Sequence, residues 1–270
     1  MILAALRRAS GGPAIILSMS RHEAELERIR TAYQVRDSPA GGAPATAATS
    51  PWSGAGYRFY MQRLEWDLLD ALGRAGAPLA GARALEVGCG SGYFLNRLTD
   101  YGVAHGAGID LMEDRVAQGR ERYPPLELTA GDASRLPWED GSFDLVTHFT
   151  CLSSILDPAL RADIAAEMWR VTRPGGVVVS YDMRGTPWPM RALGRLAARR
   201  SAPAAPVTPT TPIELGELRR LWPGGELRSR VVTLSPVLWP LAERGRWLAS
   251  LAATVSFLRT HLLVTVRKPG

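Results

Sequence analysis

The spacing of apolar residues changes along the chain between two periods, and the change predicts alternating strands and helices. Short apolar runs, typical of buried parallel strands, occur at 83–87, 106–110, 126–130, 143–149 and 176–181. Helical spacing follows most of these runs, at 92–100, 111–122 and 158–172. Two further strands are predicted at 226–234 and 261–267, after a helix at 212–222. Strands that alternate with helices predict an α/β fold, a parallel sheet with helices on both faces.

Segments outside this alternation divide the chain into a main domain and its additions. Two amphipathic helices, at 21–33 and 57–74, precede the first strand, with a loop rich in Ala, Gly, Pro, Ser and Thr between them. Irregular sequence at 182–211 and a helix-bearing insertion at 236–260 interrupt the C-terminal third. We therefore expect an N-terminal extension and cap over 1–56, and one domain over 57–270 with cap insertions near 182–211 and 236–260.

Charge and cysteine content narrow the range of partners. The 270 residues carry a formal net charge of +6, but Lys268 is the only lysine. Arginine without lysine is more typical of a GC-rich genome than of a nucleic-acid surface, so a nucleic-acid partner is not favoured. Two cysteines and four histidines stand at no metal-ligand spacing, so we expect no metal and a reducing, cytoplasmic location. No segment is long enough to span a bilayer, no membrane partner is expected, and Met19 is an alternative start to Met1.

A glycine-rich turn after the first predicted strand is the strongest functional signal. Gly88, Gly90 and Gly92 follow the strand at 83–87, and helical spacing resumes at Tyr93. A strand, a glycine turn and a helix bring backbone N–H groups against a ligand, and a tight turn without a ligand is the alternative. The dinucleotide fingerprint needs its third glycine at position 93, which is Tyr93 here. The spacing therefore disfavours a nicotinamide dinucleotide.

An acidic residue follows the second predicted strand at the distance expected for a ribose ligand. Asp110 stands 22 residues after Gly88, and an acid about 20 residues beyond the glycines binds ribose hydroxyls in nucleotide sites. A helix N-cap is the alternative, since helical spacing begins at Leu111. Asp110 would suit S-adenosylmethionine (SAM) or a dinucleotide equally well.

Four linked motifs together resemble the class I SAM-dependent methyltransferases. Glu86 with the Gly-x-Gly-x-Gly turn resembles the first motif, and Gly131-Asp132-Ala133 resembles the family's adenine-reading turn. Leu136-Pro137-Trp138-Glu139-Asp140-Gly141-Ser142-Phe143-Asp144-Leu145-Val146 and Arg173-Pro174-Gly175-Gly176 match two later stretches. The resemblance covers about 57–182. It implies a Rossmann-like, seven-stranded, mostly parallel sheet with an antiparallel last strand, SAM as cofactor and S-adenosylhomocysteine as product.

The resemblance also implies roles for individual residues. Glu86 would approach the methionine end of SAM through water, and the glycine turn would line the cofactor through its backbone. Asp110 would bind the ribose, Asp132 would take the adenine amine, and Phe149 would contact the methionine moiety. The full set of implied cofactor residues is Glu86, Gly88, Cys89, Gly90, Gly92, Asp110, Leu111, Asp132, Ala133 and Phe149.

The methyl acceptor is less well defined. The Asn/Asp-Pro-Pro-Tyr/Phe signature of many amino-directed enzymes is absent, because Phe149-Thr150-Cys151-Leu152 stands there. We therefore expect transfer to an O, N or C atom of a small molecule, such as a secondary metabolite or glycan precursor. An RNA or protein methyltransferase and a non-catalytic SAM-binding protein are the alternatives.

Candidate catalytic and substrate residues follow from topology. Ligands bind at the carboxyl ends of parallel strands, where an antiparallel last strand would begin. His261 is therefore our candidate general base, with Asp182 as its helper and His148 as its rival. Structural roles are the alternatives for all three. Arg259 and the aromatic residues Tyr57, Tyr60 and Trp188 are candidate substrate contacts, and the aromatics are equally suited to a core.

Overall fold

The predicted strands form one sheet. The computed structural model describes residues 19–37, 54–185, 187, 191–192, 195 and 208–270. Within these residues, seven strands pair in the order β3-β2-β1-β4-β5-β7-β6. The strands are β1 (Arg83–Val87), β2 (His105–Asp110), β3 (Glu127–Ala130), β4 (Phe143–Phe149), β5 (Thr172–Met183), β6 (Glu226–Leu234) and β7 (Arg259–Arg267).

Strand direction confirms the predicted antiparallel last strand. β1 to β5 are parallel neighbours in the sheet, whereas β7 runs antiparallel to both β5 and β6. β5 begins earlier than the predicted residue 176, because Thr172 already pairs with Phe143 before a register shift in the β4–β5 ladder. Gly175 takes the left-handed φ of +74° that this irregular start requires.

Helices cover both faces of the sheet. In the described part of the chain they are α1 (Arg21–Asp37), α2 (Ala55–Ala75), α3 (Tyr93–Asp100), α4 (Glu113–Arg122), α5 (Pro158–Val171), α6 (Leu215–Leu221), α7 (Pro240–Arg244) and α8 (Arg246–Ala252). The single helix expected within 236–260 is thus two short helices, broken at Gly245. No described helix combines the length and the apolar content needed to cross a membrane.

Two apolar cores lie on opposite faces of the sheet, because side chains alternate along each strand. Leu85 and Val146 point into one core, which includes Ile164 and Met168 of α5. The preceding residues of the same strands, Ala84 and Leu145, point into the other core, which includes Leu64, Leu68 and Leu72 of α2. α2 is therefore part of the main domain. The carboxyl ends of the parallel strands are left open for a ligand.

Candidate active site

A cavity of about 890 Å³ lies at the carboxyl ends of β1, β2 and β4. Residues after β3 and residues of α1 complete its wall. The lining includes most of the residues expected to hold the cofactor, namely Gly88, Gly90, Asp110, Leu111, Asp132, Ala133 and Phe149. Four segments that are distant in sequence thus meet around one space, although their roles toward a ligand stay predictions.

The glycine turn needs its glycines for two different reasons. Gly88 and Gly90 both have left-handed φ angles, +72° and +54°, which side chains with a Cβ rarely adopt. A Cβ on Gly88 would come within 2.8 Å of the Cys151 sulfur. A Cβ on Gly90 would meet no described atom within 4 Å. Gly88 is therefore required for packing, whereas the backbone of Gly90 borders the open space of the cavity.

Asp110 ties the end of β2 to the glycine turn. One carboxylate oxygen accepts a hydrogen bond from the Gly90 N–H at 2.7 Å, and the other accepts one from the Met112 N–H at 2.9 Å. A carboxylate offers about four lone-pair sites. The two remaining sites are available to a ligand such as a ribose diol.

Asp132 is engaged by a residue that the sequence motifs did not indicate. His22 of α1 lies 2.6 Å from Asp132 Oδ2, which also accepts a hydrogen bond from the Ser134 hydroxyl at 2.9 Å. Burial raises the pKa of Asp132, but the hydrogen bonds from Ser134 and His22 outweigh it and hold the pKa below its usual range. The adenine-reading carboxylate expected here is therefore ionised and already held in place by α1.

α1 is tied to the opposite wall of the cavity by polar contacts. Glu25 accepts a hydrogen bond from the Leu156 N–H at 2.5 Å, and Arg28 donates one to the Ser154 carbonyl at 2.6 Å. The Tyr33 hydroxyl lies 3.1 Å from the hydroxyl of the same Ser154. The apolar side chains of this helix line the cavity between these contacts. Helical spacing indicated α1, but nothing in the sequence pairs it with residues more than 100 positions away.

The end of β4 contributes an aromatic wall and a strained residue. Phe149 stacks on Phe94 of α3 with ring centroids 4.2 Å apart. Thr150, which also lines the cavity, has a φ of +55°, a genuine outlier for a β-branched residue. Such strain persists where the surrounding structure enforces it, and it clusters at functional sites. Cys151 follows, with burial raising the pKa of its thiol.

Three of the expected cofactor residues, Glu86, Cys89 and Gly92, do not line the cavity. Glu86 is buried below the glycine turn, its Oε2 has no hydrogen-bond partner in the described structure, and burial raises its pKa well above the usual range. Cys89 packs beneath Gly108, since a Cβ there would come within 2.8 Å of its sulfur. Gly92 begins α3 with a φ of +79°. None of the three lines the cavity, so direct contact with a cofactor is not supported by their positions.

The structure does not bring the expected bases to the cavity. β7 is separated from β4 by β5, and the ring of His261 stacks on Tyr181 at 4.7 Å, where burial lowers its pKa to about 4. His148 Nδ1 lies 3.5 Å from Asp182 Oδ2, and both side chains are almost fully buried. Burial lowers the pKa of His148 to about 3 and raises that of Asp182 to about 7. The catalytic roles expected for His261, Asp182 and His148 do not fit these positions, which are those of structural residues.

Of the three expected substrate residues that the structure describes, one lines the cavity. Tyr57 does so, whereas Tyr60 lies behind it, stacked on Trp239 at 5.4 Å and hydrogen-bonded to Tyr181. Arg259 donates hydrogen bonds to the Ala253 and Val231 carbonyls, which fix the start of β7. Trp188 lies outside the described residues. Within those residues, no group of His, Cys, Asp or Glu is arranged to hold a metal ion.

Comparison with known proteins identifies the domain. A family described as "Methyltransferase domain" matches residues 85–180. The chain is 42% identical over 126 residues to a demethylmenaquinone methyltransferase of Beutenbergia cavernae, a match that covers 46% of this chain and 49% of the relative. A protein of the same name from Renibacterium salmoninarum is 34% identical over 167 residues, covering 58% and 65%. The chain thus spans about half the length of many of the curated relatives it matches.

A solved structure supports the fold. Magnesium protoporphyrin IX methyltransferase from Synechocystis with bound SAH has a TM-score of 0.57 and 13% identity, and the match covers 91% of this chain and 95% of that one. At this identity the similarity concerns the fold alone. The sheet order, the glycine turn and the family match agree with one another. Residues 85–180 therefore match a methyltransferase domain, and the described sheet has the Rossmann-like fold of SAM-dependent methyltransferases.

Proposed function

We propose that this protein is an enzyme that transfers the methyl group of SAM to an O, N or C atom of a small molecule. The observation that carries the proposal is the cavity, where the turn after β1, Asp110, Asp132 and the end of β4 meet. At about 890 Å³ it lies near the upper end of the range for small-molecule sites, roughly 300–1,000 Å³. It therefore has room for a cofactor and part of a second molecule.

The residues present fit SAM at three points. The open space beyond Gly90 allows a ligand to approach the backbone, where a side chain would hold it away. The free lone pairs of Asp110 suit the two ribose hydroxyls. The ionised Asp132 suits the exocyclic amine of adenine, and the Leu111 and Ala133 side chains supply apolar contacts beside it.

In this proposal the chain contributes alignment and exclusion of water rather than acid–base chemistry. When bound, SAM would supply a sulfonium methyl group whose carbon an acceptor atom attacks in line while the C–S bond breaks, so that S-adenosylhomocysteine leaves and the acceptor loses its proton to water. The stacked rings of Phe149 and Phe94 give the acceptor side a rigid apolar wall. Alignment of two bound reactants alone lowers a reaction barrier substantially. Since His148, Asp182 and His261 do not reach the cavity, the proposal assigns no base to them.

The lining favours an apolar acceptor over a glycan precursor. Leu26 and Ile29 of α1 face the cavity, as do Tyr57 and Ile155. Polar side chains such as Gln118 and Ser154 also line the cavity, but a sugar would leave the hydroxyls that face these apolar residues unpaired, which is costly. Curated relatives named demethylmenaquinone methyltransferases also support a hydrophobic acceptor with an aromatic ring. We therefore place the acceptor among small quinols and phenols.

The test combines binding and turnover. Calorimetry should show binding of SAM and S-adenosylhomocysteine to the full chain, with an affinity at least about tenfold weaker in Asp110→Asn. The two backbone N–H groups bond to different carboxylate oxygens, and in Asn one of these atoms becomes an NH2 donor that faces an N–H. Asp163→Asn, at an exposed position of α5, is the matched control. Labelled methyl groups should then reach a naphthoquinol or catechol and not an oligoribonucleotide. Binding without transfer to any acceptor would identify a non-catalytic protein.

A further inference from the structure

The second helix of the insertion presents its large apolar residues to solvent. In α8, Ala249 is fully buried, whereas Trp247 and Leu251 are 68% and 62% exposed. Trp247 and Leu251 are four positions apart, so they lie on the same face of the helix. The helix therefore packs onto the domain through Ala249, and the side chains of Trp247 and Leu251 contribute little to the core. An exposed apolar face of this kind is a signature of an interaction surface.

Basic residues lie beside this face. In the insertion at 236–260, Glu243 is the only acidic residue, Arg244 and Arg246 are basic and exposed, and Arg259 is bonded to the Ala253 and Val231 carbonyls. Arg246 donates a hydrogen bond to the neutral side chain of Gln62, and Arg244 makes no ion pair within the described structure. Phe257, in the turn after α8, adds a third large apolar side chain that is 49% exposed. The insertion therefore combines exposed aromatic groups with unneutralised positive charge.

We propose that α8 and the turn after it dock this protein onto a membrane surface that contains anionic lipids. Tryptophan favours the membrane–water interface because its ring is apolar and its N–H is polar. Arginine beside it can pair with acidic headgroups while its stem lies along apolar surface. Such binding needs no helix that spans the bilayer. It differs from the expectation of no membrane partner, which was drawn from the sequence, in attachment to the surface alone.

The same insertion contacts the wall of the cavity. Trp239 precedes α7 and stacks on Tyr60, and its ring centroid lies 6.3 Å from that of Tyr57. Tyr57 in turn lines the cavity. A continuous series of contacts therefore runs from the insertion to the candidate active site. Docking would bring this wall of the cavity near the lipid surface, from which an apolar acceptor could enter. Docking itself does not depend on methyl transfer.

Vesicle flotation with the full chain tests the proposal. We expect binding to vesicles of phosphatidylcholine mixed with phosphatidylglycerol, weaker binding to phosphatidylcholine alone, and loss of binding at high salt. Trp247→Ala with Leu251→Ala should lower the partition coefficient by about tenfold or more. Arg244→Gln with Arg246→Gln should abolish the preference for anionic lipid. Trp66→Ala, an exposed tryptophan of α2, is the matched control and should bind as wild type.

Several outcomes would overturn the proposal. It fails if wild type does not float with anionic vesicles, or if the Trp247/Leu251 double variant floats as well as wild type. It also fails if light scattering shows a dimer that this variant converts to monomer, since a second copy would then be the partner. S-adenosylhomocysteine binding, measured by calorimetry, should be the same in all these variants. Failure of docking is thus distinguishable from failure of the proposed function.

Discussion

The buried pair formed by His148 and Asp182 allows a sharp test of the electrostatics of this fold. Burial lowers the pKa of His148 from 6.5 to about 3 and raises that of Asp182 from 3.8 to about 7. At about pH 5 these two side chains therefore share one proton in the folded chain, bound to Asp182. In the unfolded chain they also hold one proton, bound to His148. Equal proton numbers give no pH dependence. The pair should contribute a constant free energy of unfolding from about pH 4 to about pH 6.5.

Removal of either member should uncover the titration of the other. In His148→Gln the folded chain binds more protons than the unfolded chain, because the pKa of Asp182 is raised on folding. The free energy of unfolding should then fall as the pH rises from about 4 to about 7. In Asp182→Asn the pKa of His148 is lowered on folding, so stability should fall as the pH drops from about 6.5 toward 3. Each shift of about three pKa units corresponds to a loss of about 4 kcal/mol.

Urea unfolding at a series of pH values, followed by circular dichroism, measures this effect. The curve of each variant is subtracted from that of wild type, so that the titration of all other groups cancels. The two difference curves should slope in opposite directions. Two flat curves, or two curves of the same slope, would refute the assignment of a neutral imidazole beside a protonated carboxyl.

Two further pairs of substitutions test the packing. Gly88→Ala should lower the free energy of unfolding by about 2–5 kcal/mol through left-handed strain and the clash with Cys151. Gly90→Ala should cost only the strain, about 1–2 kcal/mol, yet weaken S-adenosylhomocysteine binding in calorimetry; equal losses of stability would contradict this account. Trp222→Ala should cost about 3–5 kcal/mol in urea unfolding because this side chain is fully buried. Trp247→Ala should change stability by no more than about 0.5 kcal/mol, and a large loss would show that its ring packs in the fold.

Local signals were sufficient for much of the sheet. The bounds of β1, β4 and β6 agree with those predicted from the sequence. For β1 and β4 the reason is an apolar run that ends at a turn or at a polar residue. The glycine turn and Asp110 were likewise predictable, since their geometry depends on contacts between adjacent strands. β5 was predicted too short, because its first residues look like a turn and pair with β4 only in the folded sheet.

Features that depend on which elements meet in the folded chain could not be predicted from the sequence. His261 does lie at the carboxyl edge of the sheet, as topology predicts. However, β5 lies between β4 and β7 and keeps His261 away from the cavity. The contact between His22 and Asp132 joins residues 110 positions apart, and no local pattern encodes it. The exposed face of α8 was equally hidden, because the sequence predicts a helix within 236–260 but not which of its sides faces solvent.

The manner in which α1 is held has a kinetic consequence. Its contacts to Asp132 and Ser154 are polar, and Ile29 is its one buried apolar side chain in the described structure, with Leu26 and Tyr33 partly buried beside it. Each such bond contributes only about 0.5–3 kcal/mol net, because water replaces it when the helix detaches. Because α1 lines the cavity and contacts two of its walls, its detachment would be the step that opens an exit for a bound ligand. The residence time of the spent cofactor, rather than the bond-making step, would then set the maximal turnover rate.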